Sequence, residues 1–136
     1  MPDIQKKISF LQQAIEILKK LLGLQTQLET QLEGMVRRIA IEEGVDGKVL
    51  LATIRCESGL DPNAINKNSN GTEDWGIAQF NSYWYVGKGL ITKEDCFNPE
   101  KAVRFMAKQF RAGRASDWIC YRTKRYISFL KVGKII

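Results

Sequence analysis

Residues 57–85 read ESGLDPNAINKNSNGTEDWGIAQFNSYWY, from Glu57 to Tyr85. The stretch opens on the end of a helix and then loses helical period. Gly59 suits the left-handed residue that closes a helix. From Asp61 to Ser82 the chain is rich in Asn, Gly and Ser. The Asn70-Gly71 pair is a turn signal, with Trp75, Ile77 and Phe80 as apolar positions beyond it. That pattern predicts a small hairpin or sheet with ordered loops.

Working outward toward the N-terminus, Asp46 is an N-cap residue, and Val49, Leu50, Leu51 and Ile54 supply the apolar side of a helix ending at Gly59. Glu57 lies three residues after Ile54 and seven after Leu50, so it continues the apolar stripe. It also stands in the last turn, where the helix dipole disfavours a carboxylate. Desolvation and dipole both push its pKa upward, as a general acid working near neutrality requires. Seventeen residues on comes Asp74, in the polar segment Asn70-Gly71-Thr72-Glu73-Asp74. There Asn and Thr side chains and water keep a carboxylate ionised. Two carboxylates in contrasting surroundings are the arrangement glycosidases use. The plainer reading, a helix-end Glu bonded to loop amides beside a turn Asp, stays open. So does the choice between Glu73 and Asp74, since strand neighbours point to opposite faces and only one can face a cleft.

Toward the C-terminus, FNPEKAVRFMAKQF begins a helix: Asn98 caps, Pro99 takes the first helical position and Glu100 sits in the first turn. Val103, Met106, Ala107 and Phe110 form its inward face. SDWICYRTKRYISFL predicts a last helix or two, capped by Ser116 or Asp117.

At the other end, Ile4, Ile8, Leu11, Ile15, Leu18 and Leu22 alternate spacings of four and three, the stripe of a coiled coil. The register slips around Gly23 and resumes at Leu21, Leu24 and Leu28. A helix from roughly residue 3 to 33 spans about 45 Å. It reads as an oligomerisation or docking helix, with a helix folded onto its own domain as the alternative. Interleaved Gln residues exclude a membrane span, and charges interrupt any signal-peptide core. From Gly34 the texture changes; Met35, Val36, Ile39 and Ala40 predict a short helix stopped at Gly44. The expected organisation is a coiled-coil-like amphipathic helix over 1–33 and a mainly α (α+β) domain over 34–136.

The chain has 136 residues, 44% hydrophobic and 26% charged, which fits one globular domain and excludes a disordered chain. It has no histidine, so Ser-His-Asp and Cys-His catalysis and His-ligated zinc are excluded. Three cysteines, Cys56, Cys96 and Cys120, allow one bridge at most. No Gly-rich phosphate loop follows a strand signal. The net charge of +6 is concentrated in residues 101–136, which carry ten Lys and Arg against Asp117 alone. Such a stretch attracts polyanions, whether nucleic acid, anionic lipid or acidic wall polymer; a solvated helix face is the plain alternative.

The stretch from Glu57 to Tyr85 resembles the active-site region of the lysozyme superfamily, most closely the chicken-type lysozymes, while ESGLDPNAIN is similar to soluble lytic transglycosylases. The resemblance runs without a gap across 29 residues, with DWICYRTKRY weakly similar to the family's late helix and no counterpart for the N-terminal helix. It implies a lysozyme-like helical domain with a small β-hairpin or sheet. Glu57 then corresponds to the family's acid and Asp74 to its second carboxylate, nucleophile or electrostatic stabiliser. Gln79 and Asn81 match the run that supports that carboxylate and lines the cleft. Asn66 and Asn68 match cleft-side amides. Trp84 and Tyr85 match aromatics that stack on sugars, and Trp118 matches the tryptophan that shields the acid from water.

There are departures. None of the cysteines falls where chicken-type lysozymes place their disulfides, so the fold is expected to hold by packing. Transglycosylases usually lack the second carboxylate and carry Gly-Leu-Met-Gln where this chain has Gly76-Ile77-Ala78-Gln79. Asp74 therefore favours hydrolysis. NKNSNG resembles a calcium loop, but the bidentate acid eleven residues after Asn66 would be Ile77, so no metal site is expected. The resemblance implies a muramidase cutting the β-1,4 bond between N-acetylmuramic acid and N-acetylglucosamine, without cofactor. Its partner is peptidoglycan glycan strands, not nucleic acid. It would act on the cell wall, outside the cytoplasm, by an export route the sequence does not disclose. A transglycosylase using Glu57 alone is one alternative; a non-catalytic wall-binding or assembly module, oligomerised by the N-terminal helix, is another.

Overall fold

The computed structural model describes residues 2–130; Met1 and residues 131–136, with Lys131 and Lys134 of the basic final stretch, lie outside the described residues. The chain divides into two compact units after Gln31. Helix α1 runs Pro2–Glu43, 42 residues, unbroken at Gly23 and Gly34. The expected end near residue 33 and separate short helix from Gly34 are thus corrected to one continuous helix. A helical glycine costs only about 1 kcal/mol relative to alanine. Leu32, Val36, Ile39 and Ala40 are all buried, so one apolar face holds its period straight across Gly34. The helix stops at Gly44 (φ 72°): Val45 N–H donates to Ala40 O at 2.9 Å and Gly44 N–H to Ile41 O at 3.2 Å, a Schellman closure.

Taken by itself, the N-terminal unit leaves its first stripe, Ile4, Ile8, Leu11, Ile15, Leu18 and Leu22, exposed. Phe10, Ile17, Leu21, Leu24 and Leu28 are exposed as well.

In the second unit, α2 (Gly47–Ser58) starts as expected at Asp46, whose carboxylate accepts from Lys48 and Val49 N–H, and closes on Gly59 at φ 67°. The turn-rich segment forms a three-stranded antiparallel sheet, β1 (Ile65–Lys67), β2 (Glu73–Trp75) and β3 (Phe80–Asn81), in that order. A π-helical turn (Ser82–Gly87) and α3 (Lys93–Cys96) lead to α4 (Pro99–Arg111), capped by Asn98 with Pro99 at its start. The last segment is a 3₁₀ turn (Ala115–Asp117), α5 (Ile119–Arg122) and a second 3₁₀ turn (Arg125–Phe129). Neither Ser116 nor Asp117 caps α5, a correction to the expectation; Trp118 stands at its N-cap position with no side-chain cap bond. Asp117 instead accepts a hydrogen bond from Tyr85.

The core joins Val36, Ile39 and Ala40 of α1 to Leu50 and Ile54 of α2, Phe80 of β3, Val103 and Met106 of α4, and Trp118. Arg104 binds Glu42 and Glu43 at 3.2 and 3.0 Å, and Arg111 binds Glu43 at 3.1 Å, so two cations of the basic final stretch fasten α4 to the end of α1. Packing is not the only restraint. Cys56 and Cys120 form a disulfide, the single bridge that three cysteines permit, while Cys96 is free and buried. Among the described residues no helix is long and apolar enough to cross a membrane.

Candidate active site

The end of α2, the sheet and the α5 segment enclose a cavity of about 570 Å³. Glu57 enters it from the last turn of α2. Ser58 Oγ donates to Ile77 O at 2.7 Å and fixes that helix end to the β2–β3 turn. Glu57 Oε1 accepts the main-chain N–H of Cys120 at 2.9 Å. Burial raises its pKa above the usual carboxylate range; the Cys120 N–H opposes that shift, the Asp74 charge adds to it, and Arg125 and Arg122 oppose it weakly. The sequence-derived direction is therefore found, with burial as its main cause.

Asp74 reaches the cavity from β2, directly across from Asn66 on β1 and Asn81 on β3. Asn81 Nδ2 donates to Asp74 Oδ1 and to Thr72 Oγ1, each at 3.1 Å. Asn68 Nδ2 donates to the same Thr72 hydroxyl at 3.0 Å, and Thr72 Oγ1 donates to Asn70 Oδ1 at 2.7 Å. This is a polar, hydrogen-bonded setting, in contrast to that of Glu57. The pleat sends Glu73 the other way, where its Oε1 accepts the Trp75 indole N–H at 3.0 Å. Of the two neighbouring acids, Asp74 lines the cavity and Glu73 does not.

Gln79 lines the floor in a left-handed backbone conformation, φ 58°, rare for a non-glycine residue. Its amide is fully engaged: Nε2 donates to Gly76 O at 2.9 Å and Ala64 O at 3.2 Å, and Oε1 accepts from Asn66 Nδ2 at 2.7 Å. The neighbouring Gly76, φ 81°, is obligatory, because a Cβ there would run into the Cys96 carbonyl. Asn66 is not brought to the cavity; it is exposed and bonds to Gln79. Asn68, Asn81, Trp84, Tyr85 and Trp118 all line the cavity.

The aromatics differ in kind. Trp84 is 58% exposed, set edge-on to Tyr83, with Lys88 Nζ 4.9 Å from its ring centre. Trp118 is buried; its indole N–H donates to Ala78 O at 2.7 Å and its ring packs on Phe80, Tyr85 and Phe110. Tyr85 belongs to this packed wall, and its hydroxyl donates to Asp117 Oδ2 at 2.7 Å. Burial and the Asp117 carboxylate push the phenol's pKa up, so it stays a donor. Sequence reasoning missed Leu90, Arg114, Asp117, Ile119 and Arg122, which complete the lining. Arg114 and Arg122 carry no distinguishing signal within a uniformly basic stretch.

A family model described as "Transglycosylase SLT domain" matches residues 34–114, more than half of the chain. The chain belongs to the transglycosylase SLT domain family. The family match takes in Glu57, Asp74, Gln79 and Asn81, whereas Trp118 and Cys120 lie beyond it. The chain is also similar to lysozyme C of Ortalis vetula, 46% identical over 44 residues, 31% of this chain and 34% of the relative. This SLT-domain chain thus spans about a third of the length of the curated relative it matches. Both likenesses agree with the lysozyme-like helical fold and small sheet described above.

Proposed function

We propose that the chain is a peptidoglycan glycosidase, cutting the β-1,4 bond between N-acetylmuramic acid and N-acetylglucosamine with two carboxylates. The observation that carries this reading is the shared cavity: Glu57, its pKa raised by burial, and Asp74, held by Asn81, line it together. Protonated Glu57 donates to the leaving glycosidic oxygen. Ionised Asp74 stabilises or attacks the oxocarbenium-like carbon from the opposite face. Glu57, now a base, takes a proton from water, and hydrolysis ends with retention. Trp84, exposed at the cavity lining, is suited to stack on a sugar ring, Asn68 offers an amide at the wall, and Gln79, its amide already engaged, shapes the floor.

The family match favours a second reading, a lytic transglycosylase in which Glu57 alone serves as acid and base and the muramic acid's own hydroxyl replaces water. Clearing of a purified cell-wall suspension separates the two. The two-carboxylate reading expects both Glu57→Gln and Asp74→Asn to lose at least a hundredfold in rate. Near-full activity in Asp74→Asn alone moves the reaction to the transglycosylase; binding without clearing by wild type makes it a wall-binding module.

The substrate sets the site of action, at the wall outside the cytoplasm, and the Cys56–Cys120 disulfide suits an oxidising compartment. Arg114 and Arg122 beside the cavity favour approach of anionic wall polymer. We further propose that the N-terminal helix joins copies of the chain. Its support is the four-three spacing of Ile4, Ile8, Leu11, Ile15, Leu18 and Leu22, all exposed when the unit is taken alone.

A further inference from the structure

Cys56 stands immediately before Glu57 at the end of α2, and Cys120 lies in α5. The bridge between them spans 64 residues of sequence and holds the two Cα atoms 6.0 Å apart. Cys120 is also the residue whose main-chain N–H donates to Glu57 Oε1. The disulfide therefore ties the neighbour of the acid to the donor of the acid's hydrogen bond. The segment that carries this donor has little local stability: α5 is four residues long, has no side-chain cap and lies between two 3₁₀ turns, and it is held by its packing, with Tyr121 on Phe110, as well as by the bridge. A helix so short has no stability of its own. Trp118 anchors its start, two residues before Cys120.

We propose that the Cys56–Cys120 disulfide is a positioning device for Glu57: it holds the Cys120 N–H and the α5 wall against the carboxyl group, so that the oxidised chain is the fully active form and the reduced chain a weaker one. This rests on the reading of Glu57 as the acid. Reduction by a dithiol breaks the S–S bond, delivers two electrons and two protons to give two thiols, and leaves the reductant as a cyclic disulfide. The reverse step needs a disulfide-bearing oxidant, which takes the two electrons and two protons and becomes two thiols. Compartments outside the cytoplasm supply such oxidants, whereas the cytoplasm keeps thiols reduced. The chain would then gain full activity only where its substrate lies. Cys96 does not compete for either partner: it is buried, and burial pushes its thiol up to about 11, so little of it is thiolate.

The charged groups facing Glu57 are Asp74 from β2, Arg122 from α5 and Arg125 from the turn after it, with Asp117 and Arg114 on the same cavity wall. Release of α5 removes burial, which raises the acid's pKa, and the Cys120 N–H, which lowers it; Arg122 and Arg125 lower it less. Burial is the largest influence, so the pKa falls back toward the ordinary carboxylate value.

The test measures pH–rate profiles of the full chain on soluble peptidoglycan fragments. It compares the oxidised wild type, the wild type reduced with dithiothreitol, Cys120→Ala (which keeps the main-chain N–H) and Glu57→Gln, with circular dichroism to follow folding. Reduced wild type and Cys120→Ala are expected to stay helical and lose about tenfold in kcat, with the alkaline limb moved to lower pH. Oxidised glutathione should restore the wild type and leave Cys120→Ala unchanged. A loss of rate with the alkaline limb unmoved overturns the proposal, as does full activity after reduction. Unfolding of both the reduced wild type and Cys120→Ala overturns it too, because the bridge is then a fold staple only. Should Glu57→Gln retain activity, the reading of the acid fails first, independently of the bridge.

Discussion

The side chain of Asn81 holds the carboxylate of Asp74, donating from Nδ2 to Oδ1 at 3.1 Å across the β2–β3 pair. The same side chain accepts the N–H groups of Tyr83 and Trp84 at 3.0 Å, so one amide fixes the second carboxylate and starts the turn that carries the exposed tryptophan. Asn81→Ala removes both roles and is expected to cost about 1–2 kcal/mol of stability and at least tenfold in activity. Asn81→Asp keeps the cap acceptor and sets a second negative charge beside Asp74. Its thermal midpoint should fall too, because the donor between the two carboxylates is gone and like charges now meet, and its activity should fall as far as that of Asn81→Ala. Calorimetry and wall clearing check the pair.

Glu57 gives a pH dependence with a definite sign. Its folded pKa is raised, so the folded state binds more protons than the unfolded one between the ordinary carboxylate value and the raised one. Its favourable contribution is complete below the unfolded pKa and is lost as pH rises through the folded pKa. Glu57→Gln has no such loss, and its amide oxygen can still accept the Cys120 N–H. Its melting temperature should exceed wild type by a few degrees at pH 7 and match it near pH 3.5. Equal melting curves at both pH values would contradict the burial of the acid. On the proposed mechanism the same titration sets the alkaline limb of the wild-type rate profile, since only the protonated acid donates to the leaving oxygen.

Trp118 joins stability to the site. Trp118→Ala opens a void among Phe80, Tyr85 and Phe110 and leaves the Ala78 carbonyl without its donor. The expected cost is about 3–5 kcal/mol by chemical denaturation. Trp118→Phe keeps most of the packing and should cost about 1–2 kcal/mol, the share of the hydrogen bond and the smaller ring.

The N-terminal helix is expected to assemble. Sedimentation velocity of the full chain at micromolar concentration should give a species larger than a monomer. Replacing Leu11 and Leu18 by Lys should return it to the monomer with cleavage of soluble fragments unchanged. A monomeric wild type would remove the oligomerisation reading.

Much of this was legible in the sequence because it depends on local chemistry. Asp46 and Gly59 bracket α2, and Asn98 with Pro99 opens α4, since caps act within a few residues. Period and turn signals likewise gave the sheet and the alternating faces that separate Asp74 from Glu73. Gly34 misled because propensity is a weak cost beside the buried face of Leu32, Val36 and Ile39. Asp117 had the composition of a cap, yet Tyr85, 32 residues away, claims its carboxylate. The Cys56–Cys120 pairing and the Cys120 N–H on Glu57 left no local mark: three cysteines do not specify their connectivity, and a main-chain donor has no residue signature. Asn66 carried the right pattern for a cleft amide, but its bond to Gln79 makes it a support for the floor.

The most direct test of the two-carboxylate reading is mass spectrometry of the fragments released from purified peptidoglycan by wild type, Glu57→Gln and Asp74→Asn. Fragments ending in reducing muramic acid, abolished in both variants, are expected. Anhydro-muramoyl products that persist in Asp74→Asn would contradict it and leave Glu57 as the sole acid and base.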